Sequence, residues 1–385
     1  MNNLGLYLHV PFCLHKCPYC SFYSLAGRPD LHHRYVQAIS TQLRSFSEEY
    51  RDQQQSLTSI FFGGGTPTLL PPETLSRLLA QCLVQFPCAD EAEISIEVNP
   101  ATVDASGLNV LRRAGFNRLS IGVQSLNDGA LRQLGRPHSV ADAVQTLQVA
   151  RAAGFDNINL DLMYGLPGQH PRSWQASLDR AVELQPEHLS IYELTIEAGT
   201  PFARLDEQGS LSLPDEEAIL LMLEKTQQAL KQAEFGRYEI SNYAKPGYQC
   251  RHNINYWQNG EYIGFGAGAV AFLNGTRSTA IADADQFCER LEYLECLSNG
   301  QNIWAEKEKL DRDAAFRETV IMGLRMTAGV SLVELTDRFG MKAESYYGET
   351  LHRLIRQGML HIVQDRLQLT AQGLLLANTV MAELV

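Results

Sequence analysis

Short apolar runs and amphipathic stretches alternate along the first half of the chain. The apolar runs predict buried strands at residues 4–10, 57–62, 93–98, 118–123, 157–163 and 188–194. Between them, helical periodicity predicts helices at residues 32–50, 72–85, 104–114, 139–153 and 172–185. Gly115 and Gly154 stand where a helix commonly ends. This alternation is typical of parallel strands joined by helical crossovers, and six units predict an α/β fold, a partial (β/α)6 barrel.

The pattern changes after a helix predicted at 214–234. Residues 236–305 are rich in tyrosine, phenylalanine and glycine, and residues 306–385 predict helices followed by a hairpin. The predicted elements of this last part are helices at 313–326, 331–339 and 343–357 and strands at 359–363 and 366–370. We therefore predict a barrel at 1–235, an extension at 236–305 and a small winged-helix-like domain at 306–385.

Polar or glycine-rich residues accompany the predicted strands, most of them at the carboxyl ends. In chain order they are Cys13, Cys17 and Cys20, Gly63–Thr66, Glu97 and Asn99, Gln124 and Ser125, Asp161, and Glu193. In barrels, the working residues lie at the carboxyl ends of the strands. We therefore expect a functional site at this edge of the sheet.

Composition and charge narrow the class of protein. Apolar residues make up 45% of the chain and charged residues 20%, which supports a packed core and excludes intrinsic disorder. The net charge of −12 argues against non-specific nucleic-acid binding, and residues 305–385 carry 10 Lys and Arg against 11 Asp and Glu. We see neither a membrane-spanning run nor a signal-peptide pattern. We expect a cytoplasmic protein, with at most transient membrane contact.

Three of the eight cysteines lie within eight residues, at Cys13, Cys17 and Cys20. Thiolates bind iron–sulfur clusters and soft metals, and three of them leave one iron of a four-iron cluster without a protein ligand. The alternative is a structural zinc ion completed by His9 or His15. Zinc ribbons usually carry a second Cys-x2-Cys pair, which this sequence lacks. The spacing therefore favours a 4Fe–4S cluster.

The cysteine loop with Tyr19 inside it, the strand before it and the later Gly63–Pro67 segment together resemble the radical S-adenosylmethionine (SAM) superfamily. In that superfamily the open iron is chelated by SAM, and one electron from the cluster cleaves the sulfonium. The protein supplies orientation and excludes water. Without Cβ atoms, the glycines would allow backbone amides to approach the methionyl end of SAM closely.

Five further segments are similar to the HemN/HemW branch of this superfamily: residues 7–13, 62–68, 95–100, 120–125 and 161–167. The branch contains oxygen-independent coproporphyrinogen III oxidases and related haem chaperones. The resemblance implies that Cys13, Cys17 and Cys20 hold the cluster. It also implies a SAM site lined by Tyr7, Tyr19, Gly64, Gly65, Thr66, Glu97, Gln124, Arg136 and Asp161.

Two features distinguish the chain from the oxidases of this branch. Phe22 stands where the oxidases carry a fourth cysteine, and only twelve residues precede Cys13, where the oxidases have a long extension. Residues 252–257, His-Asn-Ile-Asn-Tyr-Trp, match the HNxxYW signature of the chaperones. An imidazole can ligate haem iron, so the resemblance favours His252 as a haem contact. The other interpretation of His252 is a packing residue.

The sequence thus favours a haem chaperone on a radical SAM scaffold that binds haem and passes it to haem-requiring, respiratory acceptor proteins. An electron donor such as a flavodoxin or ferredoxin and a homodimeric state would be compatible with it. We expect the chain to lack coproporphyrinogen III oxidase activity. The alternatives are a decarboxylase of the oxidase type and a zinc-stabilised binding module.

Overall fold

A computed structural model describes residues 4–49, 55–296 and 303–385, and its centre is a large mixed sheet. The strands are β1 Leu4–Val10, β2 Phe12–Cys13, β3 Leu25–Ala26, β4 Leu57–Gly64, β5 Cys88–Val98, β6 Arg118–Gln124, β7 Ile158–Tyr164, β8 His188–Glu193, β9 Gly236–Arg237, β10 Asn242–Ala244, β11 Glu261–Phe265, β12 Val270–Leu273, β13 Thr276–Ala280, β14 Trp304–Lys309, β15 Val330–Ser331, β16 Leu360–Val363 and β17 Arg366–Leu369.

Helices cover the outer face of this sheet and build the C-terminal part. They are α1 His32–Glu49, α2 Pro72–Gln85, α3 Ala105–Ala114, α4 Asp128–Gln133, α5 Val140–Ala152, α6 Pro171–Glu183, α7 Pro201–Glu207, α8 Glu216–Gln232, α9 Arg251–Trp257, α10 Ala284–Cys296, α11 Arg312–Leu324, α12 Leu332–Phe339, α13 Ala343–Tyr347, α14 Glu349–Arg356, α15 Ala371–Leu375 and α16 Ala377–Ala382. Gly115 and Gly154 have φ values of +116° and +89°, as helix-ending glycines should.

The predicted partial barrel is confirmed. All six apolar runs form strands, which lie side by side and parallel in the order β1-β4-β5-β6-β7-β8. The register joins Leu8 to Phe62 and Phe62 to Ile96 across the first three strands. These apolar residues face the helices and form one core, so the hydrophobic effect fixes which face of each strand is outward.

Residues of the predicted extension lie at both edges of this sheet. Strands β9 and β10 continue it beyond β8, whereas β11 pairs in parallel with β1 and leads to β12, β13 and β14. Helix α9, which carries the HNxxYW motif, contacts β1, β4 and β11. The extension therefore adds strands on both sides of the barrel sheet, and its helix α9 packs against the strands.

The C-terminal part has its own hydrophobic core, which includes Phe316, Leu351 and Leu384. Its small sheet has the order β15-β17-β16, and helices α11 to α16 surround it, which agrees with the winged-helix-like prediction. The single helix predicted at 343–357 is wrong, because Gly348 divides it into α13 and α14. Gly348 has φ +48° and ψ −122°, a conformation that no helical residue adopts.

Candidate functional site

A cavity of about 610 Å³ runs along the inner face of the barrel, from the cysteine loop to the first residues of β6 and β8. Its volume is within the range of small-molecule sites. All thirteen site residues predicted from the sequence line it: Tyr7, Cys13, Cys17, Tyr19, Cys20, Gly64, Gly65, Thr66, Glu97, Gln124, Arg136, Asp161 and His252. The structure therefore brings them together, although their individual roles remain predictions.

The three clustered cysteines border one end of the cavity as free thiols. A turn joins the last two of them, in which the Cys20 amide donates to the Cys17 carbonyl at 3.1 Å. Burial raises the pKa of the Cys13 and Cys20 thiols. Thiols of raised pKa are protonated near neutral pH, so binding of a metal group releases protons here.

The two histidines considered as fourth zinc ligands are poorly placed to complete a zinc site. Within the described ranges, no three His, Cys, Asp or Glu side chains are grouped closely enough to hold a metal ion. His9, offered above as a fourth zinc ligand, uses both ring nitrogens: Nε2 donates to the Tyr23 carbonyl at 3.1 Å, and Nδ1 lies 3.0 Å from the Tyr7 hydroxyl. The other histidine considered, His15, is exposed to solvent.

Arg136 lies beside the cysteine loop and forms no ion pair with any described residue. Its Nη2 donates to the Asn99 side chain and to the Gly122 carbonyl, and its Nη1 lies 3.6 Å from Cys17 Sγ. Asn99 in turn donates to Thr66 Oγ1 at 2.6 Å. The guanidinium is thus held in place by neutral acceptors, which leaves its charge available to an anionic ligand.

Gly64 and Gly65, at the end of β4, have no room for a side chain because other protein atoms lie close to them. A Cβ on Gly64, whose φ is +120°, would lie 2.6 Å from the His9 ring, and a Cβ on Gly65 would lie 2.6 Å from the Phe12 carbonyl oxygen. Their amides already donate to Glu97 Oε2 at 3.0 Å and to the Val10 carbonyl at 2.9 Å. The close contacts of Gly64 and Gly65 are therefore with protein atoms, and their expected approach to the methionyl end of SAM stays a prediction.

Two carboxyl groups face the middle of the cavity. Burial, together with the nearby Asp161, raises the pKa of Glu97 to about 8. Burial also raises the pKa of Asp161, even though Asn159 and Ser120 donate hydrogen bonds to it at 2.8 and 3.2 Å. Buried carboxyls without a cation are costly, and such sites are candidates for ligand binding.

A strained backbone residue and several aromatic rings form the remaining walls of the cavity. Gln124, at the end of β6, has φ +64°, a left-handed conformation that costs free energy in a residue other than glycine. Tyr7 stacks on Phe61 and on His252, with ring centroids 6.2 and 6.3 Å apart. Burial raises the pKa of Tyr19 at the mouth, so this phenol is neutral and can act as a donor.

His252 lies near the beginnings of β1 and β4, at the opposite end of the cavity from the cysteines. Its Nδ1 is 2.9 Å from the Ser59 hydroxyl, while its Nε2 is buried and has no hydrogen-bond partner among the described residues. Burial lowers the pKa of His252 to about 3, so the imidazole is neutral at physiological pH. A neutral imidazole with an unused nitrogen is the form that binds metal ions.

The two aromatic residues of the HNxxYW motif pack against different parts of the protein. The ring of Tyr256 packs edge-on against His252 at 4.9 Å and lines the cavity. Trp257 instead lies under the Arg325 guanidinium at 4.4 Å, in the C-terminal domain. The neighbouring Asn259 donates to Thr319 of the same domain at 2.9 Å. The motif thus joins the barrel to the C-terminal domain.

Sequence reasoning missed the polar residues that line the base of the cavity. They are Arg118, Ser120, Asn159, His188, Ser190 and Tyr192. The sequence does contain a pattern that predicts this polar lining. Polar residues occupy alternate positions in strands that are otherwise apolar, and alternate positions of a strand lie on the same face. Most closed barrels fill this space with branched apolar side chains. The polar alternation therefore indicates a lumen built for a ligand.

Comparison with known proteins identifies the family. The model of the radical SAM superfamily matches residues 7–181, and that of the HemN C-terminal domain matches residues 310–376. The heme chaperone HemW of Bacillus subtilis is 35% identical over 377 residues, 97% of this chain and 97% of that protein. The heme chaperone HemW of Escherichia coli is 37% identical over 384 residues, 98% and 97% of the two chains. The chain belongs to the HemW family.

HemW membership confirms the resemblance drawn from the motifs and implies a 4Fe–4S cluster and SAM, as in the radical SAM superfamily. In three dimensions this HemW chain is similar to the coproporphyrinogen III oxidase HemN of Escherichia coli. The TM-score is 0.84 at 26% identity, and the match covers 100% of this chain and 90% of HemN. Within the described residues, no helix of this HemW chain is long and apolar enough to cross a membrane.

Proposed function

We propose that this protein is a haem chaperone: it binds a 4Fe–4S cluster, SAM and haem, and delivers the haem to haem-requiring acceptor proteins, including respiratory ones. The observation that carries the proposal is the single cavity that joins the three thiols at one end to the unpartnered His252 Nε2 at the other. Full-length similarity to proteins named heme chaperone supports the same function.

The cysteine end fits the cluster. Cys13, Cys17 and Cys20 supply three thiolates, and the mouth of the cavity beside them can accept a chelating small molecule. Cys17 already lies next to the Arg136 guanidinium, whose charge offsets that of a thiolate. When bound, the cluster supplies one electron to the sulfonium of SAM, delivered by a flavodoxin or ferredoxin.

The middle of the cavity fits SAM. Arg136 can bind the methionyl carboxylate, and ionised Glu97 can accept hydrogen bonds from the ammonium or the ribose. Asp161 and Gln124 suit ribose hydroxyls, because both present side-chain oxygens to the same space. Tyr7, Tyr19 and the glycines at 64 and 65 restrict the shape of the site and exclude water.

The base of the cavity fits haem iron. Nε2 of His252 is an unused nitrogen, and the rings of Phe61 and Tyr256 pack around it at 5.2 and 4.9 Å. Flat apolar rings suit a porphyrin face. Since Nε2 is buried, these rings must shift before iron can reach it, so haem uptake requires a local opening at α9.

The direct test is a haem titration of the purified protein, followed by the Soret absorbance. We expect saturable binding by the wild type and at least a tenfold loss of affinity in His252→Ala, because the variant lacks the nitrogen ligand. The matched control is His138→Ala, another buried histidine, which lies outside the cavity lining. Identical spectra and affinities for wild type and His252→Ala would contradict the role of His252.

Ser59 should orient the His252 ring, because its hydroxyl is the hydrogen-bond partner of Nδ1. Such partners fix the tautomer and the direction of a metal-binding histidine, and losing one typically weakens binding about tenfold or more. We expect Ser59→Ala to weaken haem binding about tenfold. Ser95→Ala is the control, since this serine is equally buried on the adjacent strand and its hydroxyl has no partner within the described ranges. Equal losses in both variants would show only a packing effect.

The second candidate function is that of the oxidase whose fold the whole chain shares. Phe22, which replaces the fourth cysteine of the oxidases, is 71% exposed at the mouth of the cavity. An anaerobic assay with coproporphyrinogen III, SAM and a reductant distinguishes the two functions. Formation of vinyl product would establish the oxidase function, and we expect none.

A further inference from the structure

Arg118 is a cation buried in the barrel that forms no ion pair with any described residue. The side chain stands at the beginning of β6, is 2% exposed and lines the base of the cavity. Its Nη1 donates to the Asn157 side chain at 2.7 Å and to the Tyr248 carbonyl at 3.2 Å. Its Nε is buried and has no hydrogen-bond partner in the part of the chain that the structure describes. A guanidinium in this position loses hydration that two neutral acceptors replace only in part.

The carboxylates nearest to Arg118 are already bound to other groups. Glu93 accepts hydrogen bonds from the amides of Arg251 and His252 at 3.0 and 3.3 Å, at the start of α9. Asp161 accepts from Asn159 and Ser120. Within the described ranges, neither carboxylate forms an ion pair with the guanidinium, and both act on it only over a longer distance. The Arg118 guanidinium therefore does not form the two parallel hydrogen bonds to a carboxylate that a guanidinium can donate.

We propose that Arg118 binds a carboxylate of the molecule that occupies the base of the cavity, and that this molecule is haem, held through one propionate. The inference rests on the proposed function and adds a second point of attachment beside the iron. Glu93 connects the two points, since its carboxylate binds the His252 amide and its charge acts on Arg118.

SAM is the other source of a carboxylate in this protein. Arg118 and Gln124 are six positions apart along β6, or about 20 Å at 3.3 Å per residue. The proposed methionyl carboxylate would bind at the Gln124 end, because Arg136 lies there beside Cys17. The geometry therefore assigns different carboxylates to the two arginines.

The test compares haem with haem dimethyl ester, whose propionates carry no charge, on the wild-type protein. We expect haem to bind at least tenfold more tightly than the ester. Arg118→Gln should bind both equally, and Arg118→Lys should recover part of the preference. Arg277→Gln is the control, because this arginine pairs with Glu308 and Glu318 outside the cavity and its loss should leave the preference unchanged.

Three outcomes would overturn the inference. They are no preference for haem over its ester in the wild type, an unchanged preference in Arg118→Gln, and a loss of SAM affinity in Arg118→Gln with the haem preference intact. The wild-type comparison decides the matter even if Arg118→Gln does not fold. Absence of any haem binding by the wild type would instead contradict the proposed function itself.

Discussion

Replacing Cys17 by serine should reduce the iron and inorganic sulfide of anaerobically reconstituted protein to background. Cys17 is the middle ligand of the predicted three-thiolate set and is buried beside Arg136. A serine hydroxyl is not deprotonated at neutral pH and does not match the preference of iron–sulfur clusters for thiolate. The wild type should be brown and contain about four irons per chain.

The matched control is Cys88→Ser, which changes a half-buried thiol outside the cavity lining. This variant should retain the wild-type iron content and absorbance. Metal analysis then distinguishes the alternatives. A colourless wild-type protein loaded with zinc would support the zinc-stabilised module, and full iron content in Cys17→Ser would contradict the ligand assignment.

Replacing Glu97 by glutamine should stabilise the ligand-free protein while weakening SAM binding. In the folded protein the pKa of Glu97 is raised to about 8, above the ordinary value of 4.5. Below pH 4.5 both folded and unfolded chains hold the proton, so no penalty exists. As the pH rises from 4.5 to 8, the folded protein loses stability, because burial opposes ionisation. Above pH 8 the full penalty is present.

Glutamine removes this penalty, so Glu97→Gln should raise the Tm of the barrel by roughly 5 °C at pH 8 and by little at pH 5. If Glu97 binds the ammonium or the ribose of SAM as proposed, glutamine also removes the negative charge of that contact, which should weaken SAM binding by about tenfold or more. Opposite effects on stability and binding are typical of residues kept for function.

Scanning calorimetry between pH 5 and 9, together with SAM binding to cluster-loaded protein, measures both effects. Glu91→Gln is the control, because this carboxylate lies on the same strand and is exposed. A Glu97→Gln variant with wild-type SAM affinity would show that the carboxylate does not contact the ligand. A pH-independent Tm difference would show that its ionisation is not penalised.

Local patterns predicted most of the barrel. The six apolar runs were long enough to specify strands, and amphipathic stretches between them specified crossover helices, because each element must bury one face. The cysteine spacing and the glycines after β4 pointed to the cluster end of the site, since those features lie close together in the chain.

Local patterns failed where the outcome depended on residues distant in sequence. Residues 236–305 looked like one segment, but the sheet has two free edges and both are extended by it. Gly348 lies inside a stretch of otherwise helical periodicity, so the sequence pattern did not predict a helix end there. The backbone conformation of Gly348 divides the helix in two.

By itself, the sequence determined the alternation of strands and helices, the three-thiolate loop, the family and the residues at the carboxyl ends of the strands. Only the tertiary structure decided that these alternating polar residues line one lumen down to its base, that Arg118 forms no ion pair with a described residue, and that His252 meets Ser59. The physical reason is that the burial of a side chain and the pairing of its charge depend on neighbouring residues from many different strands. Hydrophobic periodicity, in contrast, is a property of each strand alone.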